Sequence, residues 1–518
     1  MVPVRRWRAD RDRPVPQPPS LLARAGPLIA ARLVSACITI VIPLVLARMM
    51  PQAEYGTYKL LFLVAATAAA ILPCGVTQSL YFFVPRASEP RVYFTQTLAF
   101  MLAAGAAGAL ALWTSGPLLA TALSTPALLE HRLELAIYTG LLVAALPLEI
   151  SLTSQGRTHL AAATYLASDS LRAAALVLPA LAGFGLHGMM QTMMGWAALR
   201  LAAACGSVLA ARRGRLWDRR LLREQLAYAL PFGMAILFAI PQQYAHQFIV
   251  AHAVGPALFA IYAVACFELP FVDLFYTPTG EVLMVRLGEL ERAGRRSEGA
   301  AAFREAVDHL AVLILPPIAF IFAVAPTFIT TLFGPRFSAA APIFRICLLV
   351  MPLGIWPLDA TLRARGETRH ILTTYVVKAA VCIPLAWLSV QRFGLTGAAA
   401  SYVLAEMLGR AFLAWRVPRS LSTPARRVRF RDLVPTARLA RTAAVSMALA
   451  AIGGGTLELV SGLGAAVAGP LHRVLPLAVA SAVFGAGYLA HLIGSGASLP
   501  GALGAILGRR SGKRPLPA

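Results

Sequence analysis

The sequence has few charged residues for its length. They make up 14% of its 518 residues, whereas hydrophobic residues make up 58% and the mean hydropathy is +0.69. A soluble domain typically carries about 25% charged residues. Apolar stretches of the ~20 residues needed to span a bilayer recur along the chain, and no long polar segment is available to form a separate soluble domain. The composition therefore predicts an all-α polytopic membrane protein.

Sequence motifs of enzymes are absent as well. The chain has no phosphate-binding G-x-x-x-x-G-K-[ST] loop and no H-E-x-x-H or G-x-S-x-G motif. The connections predicted on the outer side of the membrane are mostly a few residues long, and the longest, at 115–131, contains one Glu (Glu130) and one His (His131). We therefore predict that the chain is not an enzyme and has no catalytic residues.

The six cysteines form no C-x-x-C or other pair with the spacing of metal ligands. All of them fall within apolar segments, at Cys37, Cys74, Cys205, Cys266, Cys347 and Cys382. Cysteines in such surroundings usually behave as small buried hydrophobic side chains. We predict that all six are buried and that they form neither disulfides nor a metal site.

Fourteen apolar segments are predicted to be transmembrane helices. They lie at 21–49, 56–83, 92–114, 132–153, 158–181, 185–211, 226–252, 257–284, 307–332, 340–362, 370–390, 394–415, 439–459 and 474–494. Every second connection and both ends of the chain are rich in arginine, which is typical of the cytoplasmic side. Both termini are therefore predicted to be cytoplasmic. The net charge of +24 is attributed to this topology and to anionic lipids, so no nucleic-acid partner is expected.

An internal repeat organises the predicted helices. Segments 155–165 and 183–188 recur at 365–375 and 392–397, and segment 51–58 recurs at 255–262. One period contains about six helices, and this even number makes the repeat parallel, as in transporters with two lobes around a central pathway. The predicted organisation is a disordered cytoplasmic tail (1–20), an N-terminal lobe (21–211), a basic linker (212–225), a C-terminal lobe (226–416), a second basic linker (417–438), helices 13 and 14 (439–495) and a cytoplasmic tail (496–518).

Charged side chains inside the apolar segments need partners or water. Each costs about 2.5–3.5 kcal/mol at the bilayer centre when it faces lipid. Asp169 with Arg172, and Glu406 with Arg410, have the spacing of pairs that neutralise each other on one helix face. We therefore predict two intrahelical ion pairs at these positions.

Other polar residues are predicted to line the central cavity. Arg24 and Arg32 share a face of the first helix and have no local acid, and several polar residues form a stripe on the seventh helix. In the eighth helix, Pro270 and Pro278 interrupt the pattern, as prolines do where a transporter helix bends along its pathway. The predicted substrate-cavity residues are Arg24, Arg32, Lys59, Gln243, His246, Gln247, Glu268 and Asp273.

Several motifs together resemble the polysaccharide flippases of the multidrug/oligosaccharidyl-lipid/polysaccharide (MOP) exporter superfamily. They are Ala47-Arg48-Met49-Met50-Pro51 with Glu54-Tyr55-Gly56-x-Tyr58, Gly75 with Ser79-Leu80 and Val84-Pro85-Arg86, Leu332-Phe333-Gly334-Pro335, and Phe393-Gly394-Leu395-x-Gly397-Ala398. The resemblance covers about residues 20–420. The second copy of the repeat departs from the first, because Leu258 and Ala260 replace Glu54 and Gly56.

This resemblance implies two six-helix lobes with helices 1, 2, 7 and 8 facing the cavity. It also implies a monomeric flippase that moves an undecaprenyl-pyrophosphate-linked oligosaccharide across a bacterial inner membrane by alternating access, beside a polymerase and co-polymerase. No cofactor is expected, and coupling to a proton or sodium gradient is left open. The alternatives are a lipid II or multidrug exporter of the same superfamily, and a membrane glycan polymerase or transferase.

The motif at 47–58 is interpreted as an outer turn between the first two cavity helices. Pro51 is expected to separate the two helices, and Gly56 to allow close packing where the second one starts. The residues assigned to this structural turn are Arg48, Pro51, Glu54, Tyr55 and Gly56. A substrate contact by Arg48 is the less favoured interpretation.

Overall fold

The computed structural model describes residues 21–210 without 88, 215–424 without 268 and 270, 427–464, and 471–494. These ranges contain twenty α-helices: α1 Leu21–Met49, α2 Gln52–Ile71, α3 Val76–Phe83, α4 Pro90–Ala122, α5 Ala127–Glu130, α6 Arg132–Ala145, α7 Pro147–Ser154, α8 Thr158–Leu181, α9 Gly185–Ala210, α10 Arg219–Ala253, α11 Pro256–Ala265, α12 Phe271–Arg292, α13 Gly299–Ala323, α14 Ala325–Phe333, α15 Ala340–Leu348, α16 Leu358–Ala364, α17 Thr368–Leu421, α18 Phe430–Leu433, α19 Thr436–Gly464 and α20 Leu471–Gly494. Short 3₁₀ helices lie at Val84–Arg86, Arg296–Glu298, Pro335–Phe337 and Met351–Ile355.

The helices occupy all fourteen predicted apolar segments, so the predicted all-α membrane fold is confirmed. Within the described ranges, eight helices are long and apolar enough to cross a membrane, or nine when α2 and α3 count as one bent span. The total of fourteen crossings stays a prediction.

Two interruptions of the helices occur at glycines with a positive φ, one between α2 and α3 and one inside α17. Between α2 and α3 the chain bends by 43° next to Gly75, whose φ is 74°. In α17, Gly394 (φ 57°, ψ −139°) separates two helical halves that correspond to the predicted eleventh and twelfth helices. Gly185, at the equivalent position of the first repeat copy, has a φ of 59°. The glycine of the repeated Phe-Gly-Leu motif therefore has a positive φ in both copies, which residues with a Cβ rarely adopt.

The helices pack into two groups, which we call the N-terminal lobe (α1–α9) and the C-terminal lobe (α10–α17). In the N-terminal lobe, α1 packs on α8, α4 packs on α6, and α9 packs on both α6 and α8. In the C-terminal lobe, α17 packs on α10, α15 and α16, and α12 packs on α13. Helices α19 and α20 pack on each other, and both contact α13. Phe320 of α13 stacks on Phe484 of α20 with 4.4 Å between ring centroids. The last two helices are thus an extension of the C-terminal lobe.

Helix α10 contacts both lobes. It begins at Arg219 rather than at residue 226, because the Asp218 side chain caps its first turn by accepting hydrogen bonds from the backbone of Arg220 and Leu221. The predicted linker at 212–225 is therefore partly helical. The first half of α10 packs on α3 and α4, whereas the helix as a whole makes its most extensive contact with α17. This arrangement makes α10 the physical connection between the lobes.

Candidate substrate pathway between the lobes

The two copies of the repeated turn meet at the end of the lobes where α1 ends and α2 begins. We call this the outer end, because the predicted topology places it outside the cytoplasm. A Cβ on Gly56 would overlap the carbonyl oxygen of Pro256 and would lie 3.3 Å from the Cβ of Ala260. Gly56 and Ala260 are equivalent positions of the repeat, so α2 and α11 cross there about a pseudo-twofold axis. Only a glycine at position 56 allows this backbone approach.

Aromatic packing continues this contact across the lobes. Tyr55 is fully buried, and its ring meets that of Phe337 edge-to-face at 5.7 Å. A single cluster of buried apolar side chains runs from α1 and α2 into α11, α14 and α15. Buried apolar area of this kind stabilises an interface by about 25 cal/mol per Å². The outer end is therefore closed in this structure.

Two arginines join the lobes by reciprocal hydrogen bonds. Arg48, in the last turn of α1, donates to the carbonyl of Thr331 and, at 3.0 Å, to that of Leu332 in the last turn of α14. Arg336, just after α14, donates in return to the carbonyl of Ala47 near the end of α1. Carbonyls at a helix C-terminus lack intrahelical partners and carry partial negative charge, which favours a cation. We call this pair of contacts the arginine latch.

A second cross-lobe contact is related to the first by the repeat. His252 lies 204 residues after Arg48, which is the offset between the two turns. Its Nδ1 is 2.5 Å from the carbonyl oxygen of Ala122 at the end of α4, and the Ser124 hydroxyl donates to the carbonyl of His252 at 2.9 Å. Each lobe therefore supplies both a donor and helix-end carbonyls to the other. The contacts that close the outer end are therefore related by an approximate two-fold symmetry.

The other residues of the outer turn have positions consistent with a structural role. Pro51 lies between α1 and α2 and does not belong to either helix. Glu54 is in the first turn of α2, and a Cβ on Gly185 would lie 3.3 Å from its Oε1, so this acid sits beside the start of α9. Lys59 lies 5.7 Å from the ring centroid of Tyr55. Its role as a substrate contact stays a prediction.

At the opposite end, the first half of α10 is bound to the N-terminal lobe. The buried Gln225 amide donates to the Ser79 hydroxyl at 2.9 Å and to the Thr97 hydroxyl at 2.8 Å. Tyr228 stacks on Phe82 with 4.6 Å between centroids. Another face of the same half-helix borders an open groove of about 570 Å³, lined by Trp217, Arg219, Leu222, Arg223, Leu226, Ala227 and Leu230. The groove is basic at its inner end and apolar toward the membrane.

The predicted polar stripe on the seventh helix divides between two environments. Gln243 is exposed and Gln247 is half-buried. His246 is buried within the C-terminal lobe, where its Nδ1 is 2.7 Å from the Tyr262 hydroxyl and its ring stacks on that of Tyr402. His246 and Gln247 border a small cavity of about 60 Å³ inside this lobe. The structure therefore places Gln243 at the exposed edge of the stripe and His246 at its buried edge.

The predicted charges lie on α1 and on the eighth helix. Asp273 is exposed in the first turn of α12 and has no ion-pair partner among the described residues. Glu268 and the side chains of Arg24 and Arg32 lie outside the part that the structure describes. Whether these four residues contact a substrate stays a prediction.

Of the two predicted intrahelical pairs, one forms and one does not. Asp169 and Arg172 are 3.3 Å apart, and Arg172 also donates to the Thr39 hydroxyl of α1 at 2.8 Å. Glu406 does not pair with Arg410; its carboxylate binds Lys378 at 2.5 Å instead. The reason is the kink at Gly394, which folds the first half of α17 back along the second and brings Lys378 alongside Glu406.

Arg410 belongs to a polar cluster inside the C-terminal lobe that the sequence analysis missed. Its guanidinium donates to the Trp356 carbonyl at 3.2 Å, and the Tyr276 hydroxyl donates to Asp359. A cavity of about 150 Å³ is lined by Arg410, Tyr276 and Asp359 together with Lys378 and Glu406. The N-terminal lobe has its own buried ion pair, Arg200 with Glu149 at 2.7 Å. Glu149 and Arg200 lie on different helices, and Lys378 and Glu406 lie on the two halves of α17 on either side of Gly394. No local spacing indicates either pair.

We expect the Lys378→Met substitution to destabilise the protein by roughly 3–5 kcal/mol, because it leaves the Glu406 carboxylate unpaired in a polar pocket within the membrane. The double variant Lys378→Met/Glu406→Gln should regain most of this loss. The measurement is unfolding of the purified protein in mixed micelles with increasing denaturing detergent. The control is Arg220→Gln, which breaks an exposed pair with Glu224 and should cost less than about 1 kcal/mol. Equal losses in the single and double variants would contradict this role.

The cysteine prediction is partly wrong. All six cysteines are free, as predicted, but only Cys347 and Cys382 are buried, and Cys37 is exposed on the surface of α1. A residue in an apolar segment can face lipid as well as protein, and the sequence pattern does not distinguish these surroundings. The Cys266 and Cys347 sulfur atoms are 3.7 Å apart.

The comparisons with known proteins agree with this architecture. The chain resembles the solved structure of the lipid II flippase MurJ in an inward closed conformation (TM-score 0.67, 12% identity, covering 90% of this chain and 98% of that one). It also resembles a multidrug resistance MATE family transporter of the MOP superfamily in an inward-facing conformation (TM-score 0.63, 16% identity, 77% and 99% covered). A MOP superfamily transporter from Pyrococcus furiosus matches with a TM-score of 0.54 at 14% identity, over 78% and 96% of the two chains. No protein with a curated description matches the sequence.

A family model described as "Polysaccharide biosynthesis protein" matches residues 45–342, more than half of the chain. The matched range begins just before Arg48 and ends just after Arg336, so it contains the whole outer closure. The predicted resemblance to the MOP exporter superfamily is confirmed by the family match and by the fold, and the long apolar helices confirm the prediction of a multi-pass membrane protein. The chain belongs to the polysaccharide biosynthesis protein family and has the fold of the MOP superfamily transporters.

Proposed function

We propose that the protein is a flippase that moves an undecaprenyl-pyrophosphate-linked oligosaccharide from the cytoplasmic to the outer leaflet of a bacterial inner membrane. The observation that carries the proposal is the match to the polysaccharide biosynthesis family over the residues of the outer closure. Alternating access requires an interface that can close on the outer side. The contacts of α2 with α11 are such an interface.

The charge distribution fits an anionic lipid-linked substrate. Pyrophosphate is bound well by arginine, which forms two parallel charge-assisted hydrogen bonds with one phosphate. Arg24 and Arg32 lie eight residues apart on α1, and Arg219 and Arg223 lie at the inner end of the α10 groove, whose remaining wall is apolar. In this proposal the arginines attract the headgroup, and the polyprenyl chain stays in the bilayer between the lobes.

In the same proposal, Glu268 or Asp273 on the eighth helix opposes the α1 arginines from the other lobe. Bound pyrophosphate would compete with these acids for the arginines, so substrate entry would be linked to rearrangement of the lobes. An acid near the middle of the membrane also allows uptake of a proton, and thus coupling to a gradient. The protein works as a monomer with cytoplasmic termini and delivers its product to a polymerase with its co-polymerase.

The test is transport by the purified protein in vesicles that contain a fluorescent undecaprenyl-pyrophosphate oligosaccharide. The fraction that a membrane-impermeant reductant quenches measures how much lipid has crossed. We expect Arg32→Gln to lower the rate about tenfold or more, because one charge-assisted hydrogen bond contributes about 1.5–3 kcal/mol. Arg32→Lys should restore part of the rate, since the charge returns without the bidentate geometry. Arg220→Gln serves as the control on an exposed face of α10.

Several outcomes of this assay would contradict the proposal. Full transport by Arg32→Gln at normal protein levels would exclude the headgroup contact. Transport of fluorescent lipid II or of a cationic drug, without transport of the oligosaccharide, would favour the other exporters of the superfamily. Release of free undecaprenyl pyrophosphate from the labelled donor would favour a glycan polymerase or transferase.

A further inference from the structure

Three side chains of metal-ligand type meet at the outer end of the N-terminal lobe. His131 lies between α5 and α6, Glu134 is in the first turn of α6, and His187 is in the first turn of α9. The Nδ1 of His131 is 2.7 Å from Glu134 Oε2, and the Nδ1 of His187 is 2.5 Å from Glu134 Oε1. One carboxylate is thus held between imidazoles from two helices, and the ligand atoms all lie within 4.8 Å of one another.

The fold itself does not require this cluster. His187 belongs to the repeated segment GFGLHG at 183–188, whose second copy, RFGLTG at 392–397, has Thr396 at the same position. The Phe-Gly-Leu turn therefore forms equally well without a histidine. Packing of α6 on α9 brings His187 next to Glu134. The cluster is a feature that the N-terminal lobe adds to the common architecture.

We propose that His131, Glu134 and His187 form a binding site for a divalent transition metal of the Zn²⁺ type. Two imidazole nitrogens and one carboxylate oxygen are ligands that zinc accepts at about 2.0–2.2 Å, and three protein ligands leave a fourth position for water. The nitrogen and oxygen atoms already converge at hydrogen-bond distance. Small side-chain rotations direct their lone pairs to a common point, and the metal takes the place of the imidazole protons on Nδ1.

A fourth side chain is placed to support the site. The side-chain amide nitrogen of Gln191, one turn after His187, is 2.7 Å from His187 Nε2. A metal-bound histidine usually gives its other ring N–H to a hydrogen-bond acceptor, which fixes the orientation of the ring. When Nδ1 binds the metal, Nε2 carries the proton, and a rotation of the Gln191 amide by 180° turns its oxygen to accept that proton.

The exposure of the three ligands fits a site loaded from outside. The side chains of His131 and Glu134 are 14% and 13% exposed, whereas that of His187 is 65% exposed. Two ligands are therefore held in place and the third remains accessible. A metal bound here ties α6 to α9 next to Glu54, which lies against the start of α9. It would stiffen the part of the N-terminal lobe on which the outer turn rests.

The test uses full-length protein purified without a polyhistidine tag, in detergent, and Zn²⁺ alone as the probe. Titration calorimetry should show one site in the unmodified protein. Glu134→Gln and His187→Ala should each weaken binding at least about tenfold, and Gln191→Ala should weaken it about tenfold through loss of ring orientation. Co²⁺ should give the strong visible absorption of a four-coordinate site, and both ligand variants should abolish it.

The matched controls are Glu130→Gln and His159→Ala, which remove an exposed acid of α5 and an exposed histidine of α8 and should leave zinc binding unchanged. Each variant is compared with the unmodified protein by gel filtration, so that loss of binding is separated from loss of folding. Absence of a saturable zinc site in the unmodified protein would overturn the proposal. Unchanged affinity in folded Glu134→Gln and His187→Ala would do so as well.

Discussion

Replacing Gly56 by alanine should nearly abolish transport while leaving each lobe folded. The added Cβ would overlap the carbonyl oxygen of Pro256, and the carbonyl carbon would be only 2.7 Å away. Because that neighbour is backbone, it cannot rotate aside as a flexible side chain would. Overpacking of this kind costs about 1–3 kcal/mol, and at the upper end this shifts the ratio of closed to open outer ends about a hundredfold. The vesicle assay with labelled lipid-linked oligosaccharide measures the loss of transport.

Gly195→Ala is the matched control for this prediction. Gly195 lies in α9, and a Cβ there meets nothing within 4 Å. The same chemical change should therefore leave transport intact. Spin labels on Leu129 of the N-terminal lobe and Ser338 of the C-terminal lobe, introduced in a cysteine-free background, report the separation of the outer ends. Gly56→Ala should populate a longer distance that Gly195→Ala does not. Normal transport by Gly56→Ala would show that the outer contact need not form during the cycle.

Much of the fold could be predicted from the sequence, because apolar segments and the Gly and Pro residues that separate them are local signals. Apolar length located the fourteen segments, and the repeat identified 51–58 and 255–262 as equivalent before either was placed in space. The position of Gly56 in the repeated turn predicts close packing, and the Pro256 carbonyl lies where a Cβ of residue 56 would be. What the sequence did not indicate was the partner, since a glycine signals a close approach without saying what approaches.

Partners between helices could not be predicted from single-helix spacing. Glu406 and Arg410 have the separation of an intrahelical pair, yet Glu406 binds Lys378 in the other half of α17. Glu149 and Arg200 are 51 residues apart, and the two sides of the arginine latch are more than 280 residues apart. A helical pattern shows which residues share a face, whereas the neighbour of that face depends on how the helices pack. Each contact that the sequence did not predict depends on how the helices pack.

The internal repeat nevertheless relates some of these contacts to each other. Arg48 and His252 occupy equivalent positions, and each binds a carbonyl near the end of the helix before the outer loop of the opposite lobe. The two contacts differ in number of hydrogen bonds, because Arg48 donates through two guanidinium nitrogens to two carbonyls whereas the His252 ring contacts one. The outer closure is therefore symmetric in geometry and asymmetric in strength. Most of its polar stabilisation is expected on the Arg48 side.

Removing both members of the arginine latch, in the variant Arg48→Gln/Arg336→Gln, should open the outer end. Hydrogen bonds from charged groups contribute about 1.5–3 kcal/mol, and we take about 1–2 kcal/mol for each arginine because both are exposed. Together they should shift the closed-to-open ratio by about thirtyfold or more, since about 1.4 kcal/mol corresponds to a factor of ten. The spin-label distance between Leu129 and Ser338 should lengthen, and transport should slow because the protein spends less time ready to accept substrate from inside.

The matched control for the latch is Arg345→Gln. Arg345 also donates to carbonyls near the end of a helix, those of Phe322 at 3.0 Å and Ala323 at 3.1 Å, but both lie in its own lobe. Its loss removes a similar contact and a similar charge without touching the interface between the lobes. The distance distribution should therefore stay unchanged in Arg345→Gln. If the two variants lengthened the distance equally, the arginines would act on the stability of the lobes, and the outer closure would not depend on the latch.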